Sequence, residues 1–153
     1  MPKRLTGAQQ AAYHRDGFVA PIDIFSAEEV AGIRAELEAA EAAHGDQLLA
    51  AGRNNAHYVL PVLDRIAHDP RILDAVEDVI GPDILVAGTT LFIKEPATEG
   101  FISWHQDARY IGLEPHDWVT AWLAISDVTE ENGCMRMVPG THTAPLVDHV
   151  DTF

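Results

Sequence analysis

Cysteine is almost absent from this sequence: Cys134 is the only one in 153 residues. A single thiol closes no internal disulfide, so the chain is not a cross-linked secreted scaffold. Cys134 lies in an apolar, strand-like run and reads as an inert core thiol. Basic residues are also scarce, with 10 Lys and Arg against 24 Asp and Glu, a formal charge of −14 and a pI near 4.7. That balance repels phosphate backbones and anionic lipid surfaces, which excludes nucleic acid and membrane as partners. No apolar run reaches the roughly 18 residues of a membrane span. The start, Met-Pro-Lys-Arg-Leu-Thr, has no apolar segment behind it, so no signal peptide is expected. These absences point to a cytoplasmic, reducing setting. There is no internal repeat and no low-complexity linker.

What is present suits one ordinary domain spanning residues 1–153, with 47% apolar content. Residues 1–83 read as mainly helical. Thr6 with Gln9 forms a capping box, predicting a helix to about His14 that stops near Gly17. Residues 16–20 then read as a turn into a short strand. Ser26 with Glu29 is a second capping box, opening a helix over roughly 27–43 whose inward face is Val30, Ile33 and Leu37. Residues 44–56 lack periodicity and read as a loop. Residues 57–60 suit a short strand or the start of a helix. Asp69 as N-cap and Pro70 at the first helical position begin another helix, with Ile72, Leu73, Val76 and Ile80 as its apolar face. Gly81-Pro82-Asp83 ends it.

Past Ile84 the pattern changes to β-branched and apolar runs: 84–87, 89–93, 119–125 and 134–138, separated by Gly- and Pro-containing turns. Helices followed by consecutive strands predict an α+β fold, the strands forming a sandwich or barrel. Thr120, Trp122 and Ala124 should share one strand face.

Within this second half stands Ser103-Trp104-His105-Gln106-Asp107. On a strand, His105 and Asp107 would face one way and Gln106 the other. An imidazole and a carboxylate side by side supply two of the three ligands of a 2-His-1-carboxylate facial triad on non-haem Fe(II).

Several blocks, in this order and spacing, resemble the phytanoyl-CoA dioxygenase-like family of Fe(II)- and 2-oxoglutarate-dependent oxygenases. They are Tyr13-His14-Arg15-Asp16-Gly17-Phe18-Val19, Asp69-Pro70-Arg71-Ile72-Leu73, Ile80-Gly81-Pro82, Trp104-His105-Gln106-Asp107, Trp122-Leu123-Ala124-Ile125, Glu131-Asn132-Gly133-Cys134 and Pro139-Gly140-Thr141-His142. The resemblance implies a double-stranded β-helix, a cupin-like jelly roll with helices packed outside, of which 84–153 would be the first strands. It implies His105 and Asp107 as iron ligands. It implies Trp122 and Leu91 as walls of the 2-oxoglutarate pocket, with the 53–58 region, Arg53 and His57, near the same co-substrate. Fe(II), 2-oxoglutarate, O₂ and a small-molecule substrate follow, the product being a hydroxylated substrate with succinate and CO₂. Asp107 favours hydroxylation, since related halogenases carry a small residue there to admit chloride.

The sequence also departs from that family. The family's third ligand is a histidine several strands later, followed by an arginine that holds the far carboxylate of 2-oxoglutarate. Residues 146–153 contain no arginine. His142 sits in a Pro-Gly-Thr-His turn, which is not the ligand position, and His149 lies in an unpatterned tail. The expectation is therefore the N-terminal part of a longer enzyme. Two alternatives stand beside it: a non-catalytic module of the same fold, and a cupin-like metalloenzyme that does not use 2-oxoglutarate. The segments 108–117 and 44–56 are expected to shape the substrate pocket.

Overall fold

The first helix, α1 (Gly7–Asp16), starts where its capping chemistry places it. The Gln9 N–H donates to Thr6 Oγ1 at 3.2 Å while the Thr6 N–H donates to Gln9 Oε1 at 2.8 Å. It ends on Gly17, whose φ of +85° is the left-handed conformation that closes many helices. In this computed structural model, residues 2–50, 54–94, 96–97 and 100–149 are described.

The second helix, α2 (Ala27–Ala50), begins with the same reciprocal box: the Ser26 N–H donates to Glu29 Oε2 and the Glu29 N–H to Ser26 Oγ. It runs beyond residue 43, so residues 44–50 are helical rather than a loop. The expected break survives only as a kink at His44 (φ −135°, ψ 17°), next to Gly45. Gln, Leu and Ala at 47–50 are good helix formers and carry the backbone on. A 3₁₀ turn (Ala56–Tyr58) leads into α3 (Pro61–Ala67), so of the two readings offered for 57–60 the helical one is nearer, with the α-helix itself starting at Pro61. Pro61 at its first turn and the apolar spacing of Val62, Leu63 and Ile66 are the signals that mark it. α4 (Pro70–Ile80) follows, capped by Asp69, whose Oδ1 accepts the Arg71 N–H at 2.9 Å.

These helices build the core. Ala56, Leu60, Val62 and Leu63 are buried together, with Ile33, Leu37 and Ala40 of α2, Ile66 of α3 and Leu91 packed against them. On α4, Ala75 is the buried residue, while Ile80 at the helix end is exposed. Ion pairs span the layers: Arg71 with Glu29 at 2.8 Å and Arg65 with Glu36 at 2.6 Å. Asp78 of α4 latches the N-terminal segment by accepting the backbone N–H groups of Lys3, Arg4 and Leu5 at 2.7–2.8 Å. That latch seats Leu5, which is buried.

The second half differs. No β-ladder forms among the described residues, neither at 18–20 nor in the runs expected over 84–153, so the jelly roll is not seen in them. The one pairing there is an isolated antiparallel bridge between Asn54 and Thr90. A strand satisfies its backbone only against another strand. Here the runs are instead tied by turns and side chains, such as Lys94 Nζ donating to the Gly133 carbonyl. Regular structure beyond 84 is limited, among the described residues, to the short α5 (Ala108–Ile111) and a 3₁₀ turn (Thr141–Thr143). Cys134 is half-buried rather than a core residue.

The two halves touch at two places: residues 89–91 lie against residues 54–57 and the helical core, and the Pro139–His142 turn lies against α1. The Gly140 N–H donates to the Asp16 carbonyl at 2.8 Å, and His142 Nε2 donates to the His14 carbonyl at 3.1 Å. His142 thus caps the carbonyl end of α1.

Candidate metal centre

His105 and Asp107 come together. His105 Nε2 lies 3.0 Å from Asp107 Oδ1. Strand alternation is not what converges them. Asp107 has right-handed helical angles (φ −55°, ψ −35°) and is the N-cap position of α5. Its carbonyl accepts the N–H groups of Tyr110 and Ile111, and the Gln106 carbonyl accepts that of Arg109. A helical turn therefore occupies the carbonyls that a β-ladder would have used. The turn swings the carboxylate back over the imidazole.

The imidazole is oriented from behind. His105 Nδ1 is 2.8 Å from the Ser103 carbonyl, an acceptor only, so Nδ1 carries a proton. Nε2 then faces a carboxylate oxygen, a second acceptor. At 3.0 Å the two atoms are at the spacing of a hydrogen bond or of two neighbouring ligands of one ion. The distance fits a metal. Two neighbouring ligands of an octahedral ion, each about 2.1 Å from it, stand about 3.0 Å apart. A carbonyl holding the distal ring N–H is also the usual support of a metal-bound histidine. The second carboxylate oxygen, Asp107 Oδ2, is reached by Thr120 Oγ1 at 3.4 Å, a weak contact. Side-chain exposure of 34% for His105 and 48% for Asp107 leaves the pair open to incoming ligands.

The pair supplies two of the three side chains that a facial triad needs. Among the described residues, no group of three or more His, Cys, Asp or Glu side chains is placed to hold a metal ion. His149 does approach this region, yet its Nε2 accepts the Gln106 N–H at 2.8 Å and its Nδ1–H donates to the Val147 carbonyl at 2.9 Å. The Tyr110 ring stands edge-on to both His105 and His149, 5.9 and 6.0 Å between centroids.

The remaining expected site residues lie elsewhere. His57 is buried, with Nδ1 2.8 Å from Thr89 Oγ1 and its ring 4.1 Å from that of Tyr58. Leu91 packs on the helical core. The Asn54–Thr90 bridge and the Asn55 N–H bond to the Thr89 carbonyl clasp these two segments together. Arg53 is outside the described residues. Trp122 follows Thr120 by two residues and is 44% exposed. The described contacts thus gather His57 and Leu91 at the helical core, and His105 and Asp107 among segments 103–149.

The sequence reading missed Gln106, placed on the far face, and set aside His149 as tail. Their contacts join positions about 40 residues apart, a separation that no local pattern encodes. Ser103 was within the quoted motif, and its role rests on its backbone carbonyl, which residue identity does not reveal.

Comparison with known proteins bears on the same stretch. A family model described as Phytanoyl-CoA dioxygenase (PhyH) matches residues 13–152. A Caenorhabditis elegans protein named probable phytanoyl-CoA dioxygenase is 36% identical over 96 residues, 58% of this chain and 31% of that protein. The ectoine dioxygenase of Bordetella parapertussis is 29% identical over 155 aligned residues, covering 90% of this chain and 50% of the relative. A probable alpha-ketoglutarate-dependent hypophosphite dioxygenase of Stutzerimonas stutzeri is 25% identical, covering 92% of this chain and 55% of that one. The chain therefore spans from about a third to about half the length of these curated relatives. No solved structure matches it significantly. No helix among the described residues is long and apolar enough to cross a membrane.

Proposed function

This chain belongs to the phytanoyl-CoA dioxygenase family, and on that footing we propose that it serves an Fe(II)- and 2-oxoglutarate-dependent hydroxylase of a small molecule. The observation that carries the reading is the His105 Nε2–Asp107 Oδ1 separation of 3.0 Å, with Nδ1 held by the Ser103 carbonyl. His105 and Asp107 would hold the iron, which when bound supplies O₂ activation coupled to decarboxylation of 2-oxoglutarate to succinate and CO₂. The Ser103 carbonyl keeps the Nε2 lone pair aimed at the metal position, and Asp107 adds one negative charge there. Trp122 would be an apolar wall toward the co-substrate, and Leu91 would be one only from the side of the helical core on which it packs. His57, pinned to Thr89, backs the Leu91 segment.

The finer fold belongs to the same reading: one domain over 1–153, helical to 83, with 84–153 as the first strands of a cupin-like jelly roll. The named activities of relatives range over ectoine and hypophosphite, so family membership leaves the substrate open. A charge of −14 disfavours a polyanionic acyl-CoA and favours a smaller metabolite. The acidic composition and single cysteine support a cytoplasmic setting.

A second reading, a family module that binds without turnover, draws on the missing third ligand among the described residues. One experiment separates the two. The full chain is loaded with Fe(II) without oxygen, its iron content is measured, and 2-oxoglutarate-dependent succinate formation is followed for wild type and His105→Ala. One bound iron and succinate formation, both lost in the variant, are expected. Iron content and turnover unchanged in His105→Ala would overturn the proposal. Iron binding without succinate formation would favour the binding module or a metalloenzyme that uses no 2-oxoglutarate.

A further inference from the structure

We infer that Gln106 is a positioning residue: it anchors residues 145–149 along the back of the His105–Asp107 pair and, through His149, fixes the backbone that carries both side chains. The inference rests on the reading of that pair as a metal centre. All four polar groups of Gln106 are engaged. Its backbone N–H donates to His149 Nε2 at 2.8 Å, and its carbonyl accepts the Arg109 N–H at 3.0 Å. Its side-chain Oε1 accepts the Val147 N–H at 2.9 Å, while Nε2 donates to the Pro145 carbonyl at 3.3 Å.

A primary amide presents one acceptor and a donor side by side, as a peptide unit does. The Gln106 side chain therefore substitutes for a strand neighbour and holds 145–147 where no ladder exists. The two peptide units that flank Gln106 join it directly to His105 and Asp107. With one locked by His149 and the other by Arg109, neither ligand's backbone can rotate freely. Gln106 is half-buried while His105 and Asp107 on either side are exposed, as expected of a support facing inward.

The same bonds define His149. Its Nδ1–H is committed to the Val147 carbonyl, and its one ring lone pair, on Nε2, to the Gln106 N–H. Nothing on that ring is left for a metal, so His149 supports the centre and is not a ligand of it. Tyr110 stands edge-on to both histidine rings at the surface.

The test uses the full chain with Co(II) as a spectroscopic probe, and reads amide hydrogen exchange at Val147 in parallel. Outer supports of metal ligands typically change affinity about 10- to 100-fold. Gln106→Ala should weaken Co(II) binding about tenfold and lose protection at Val147. Gln106→Glu keeps the acceptor for Val147 but sets an oxygen against the Pro145 carbonyl, so it should retain Val147 protection and fall between. His149→Ala should weaken Co(II) binding without abolishing it, whereas His105→Ala should abolish it. Wild-type affinity and Val147 protection in Gln106→Ala would overturn the inference, as would complete loss of Co(II) in His149→Ala. Wild-type Co(II) binding in His105→Ala would instead strike the metal-centre reading itself.

Discussion

Residues 2–83 and residues 84–149 solve the same problem differently. The first half carries every buried residue among those described: Leu5, Ala56, His57, Leu60, Val62, Leu63 and Ala75. The second half carries comparable apolar side chains and buries none of them fully. Leu85 is 93% exposed, Phe101 73% and Trp104 66%. Composition does not separate the halves; the source of hydrogen bonds does. A helix satisfies its backbone within itself, so α1–α4 can form first and then pack their apolar stripes pairwise. β-branched runs cannot do this, because each donor and acceptor needs a neighbouring strand. The motif half therefore holds its shape through side-chain clasps: Gln106 to 145–149, Lys94 to Gly133, and His142 to α1.

The largest expected effect sharpens this contrast with one residue type. Leu63→Ala removes a buried side chain from the α3 core and should cost about 2–5 kcal/mol. Leu85→Ala, at an exposed position, should cost within about 0.5 kcal/mol. Denaturant unfolding of both variants measures the difference. Equal losses would show that Leu85 is covered in solution and that the shared core extends well beyond Leu91.

The same contrast explains what could be read in advance. Helix starts were legible because a cap is a local event: Thr6 with Gln9, Ser26 with Glu29, and Asp69 with Pro70 each act within four residues. The end of α2 was less so, because Gly45 marks a kink that good helix formers beyond it override. At α3 the choice between strand and helix start stayed open over 57–60, because seven residues are too few for periodicity to stand out. The expected nearness of His105 and Asp107 is seen, but not by the expected geometry. The i, i+2 spacing suggested a strand, and a helical turn at Asp107 brings the groups together instead. Gln106 illustrates the limit: its partners lie at 145–149, and a pairing across that distance leaves no trace in the local pattern.

A second, smaller effect probes the junction between the halves. Gly17 has φ +85°, and a Cβ there would lie 2.5 Å from His142 Nδ1. Gly17→Ala should cost about 1–3 kcal/mol, part from the left-handed backbone and part from displacing the imidazole. Pairing it with His142→Ala separates the two, since removal of the ring relieves only the second. In a double-mutant cycle the combined loss should be less than the sum. Strict additivity would mean that the Pro139–His142 turn is not seated on α1, and that the contacts of residues 89–91 alone join the halves.

The smallest expected effect is acid lability confined to the helical half. Arg15 holds the Asp16 carboxyl below its ordinary range. The Ser26 N–H and then Arg71 do so for Glu29, and the Arg71 side chain does so for Asp69. At Asp78, desolvation pushes the other way, but the backbone N–H groups of Lys3, Arg4 and Leu5 together with the Lys3 charge outweigh it, and the carboxyl is again lowered. A carboxylate depressed in the folded state adds stability that is complete above its unfolded pKa. That stability drains away as pH falls through the ordinary carboxylate range of about 4 toward the lowered folded value, because the unfolded chain takes up protons first. Glu29 is open to solvent, the Asp16 and Asp69 side chains are partly covered at the surface, and screening there keeps the effect to a modest fall in melting temperature, smaller still at high salt. Thermal melts followed by helical circular dichroism between pH 6 and pH 2.5 should show the loss beginning below about pH 4.5. Asp78→Asn keeps a carbonyl acceptor for the N-terminal latch but cannot titrate, so its melting temperature should fall less steeply over the same interval. A slope identical to wild type would remove Asp78 from the acid response and leave the latch a neutral hydrogen-bonded contact.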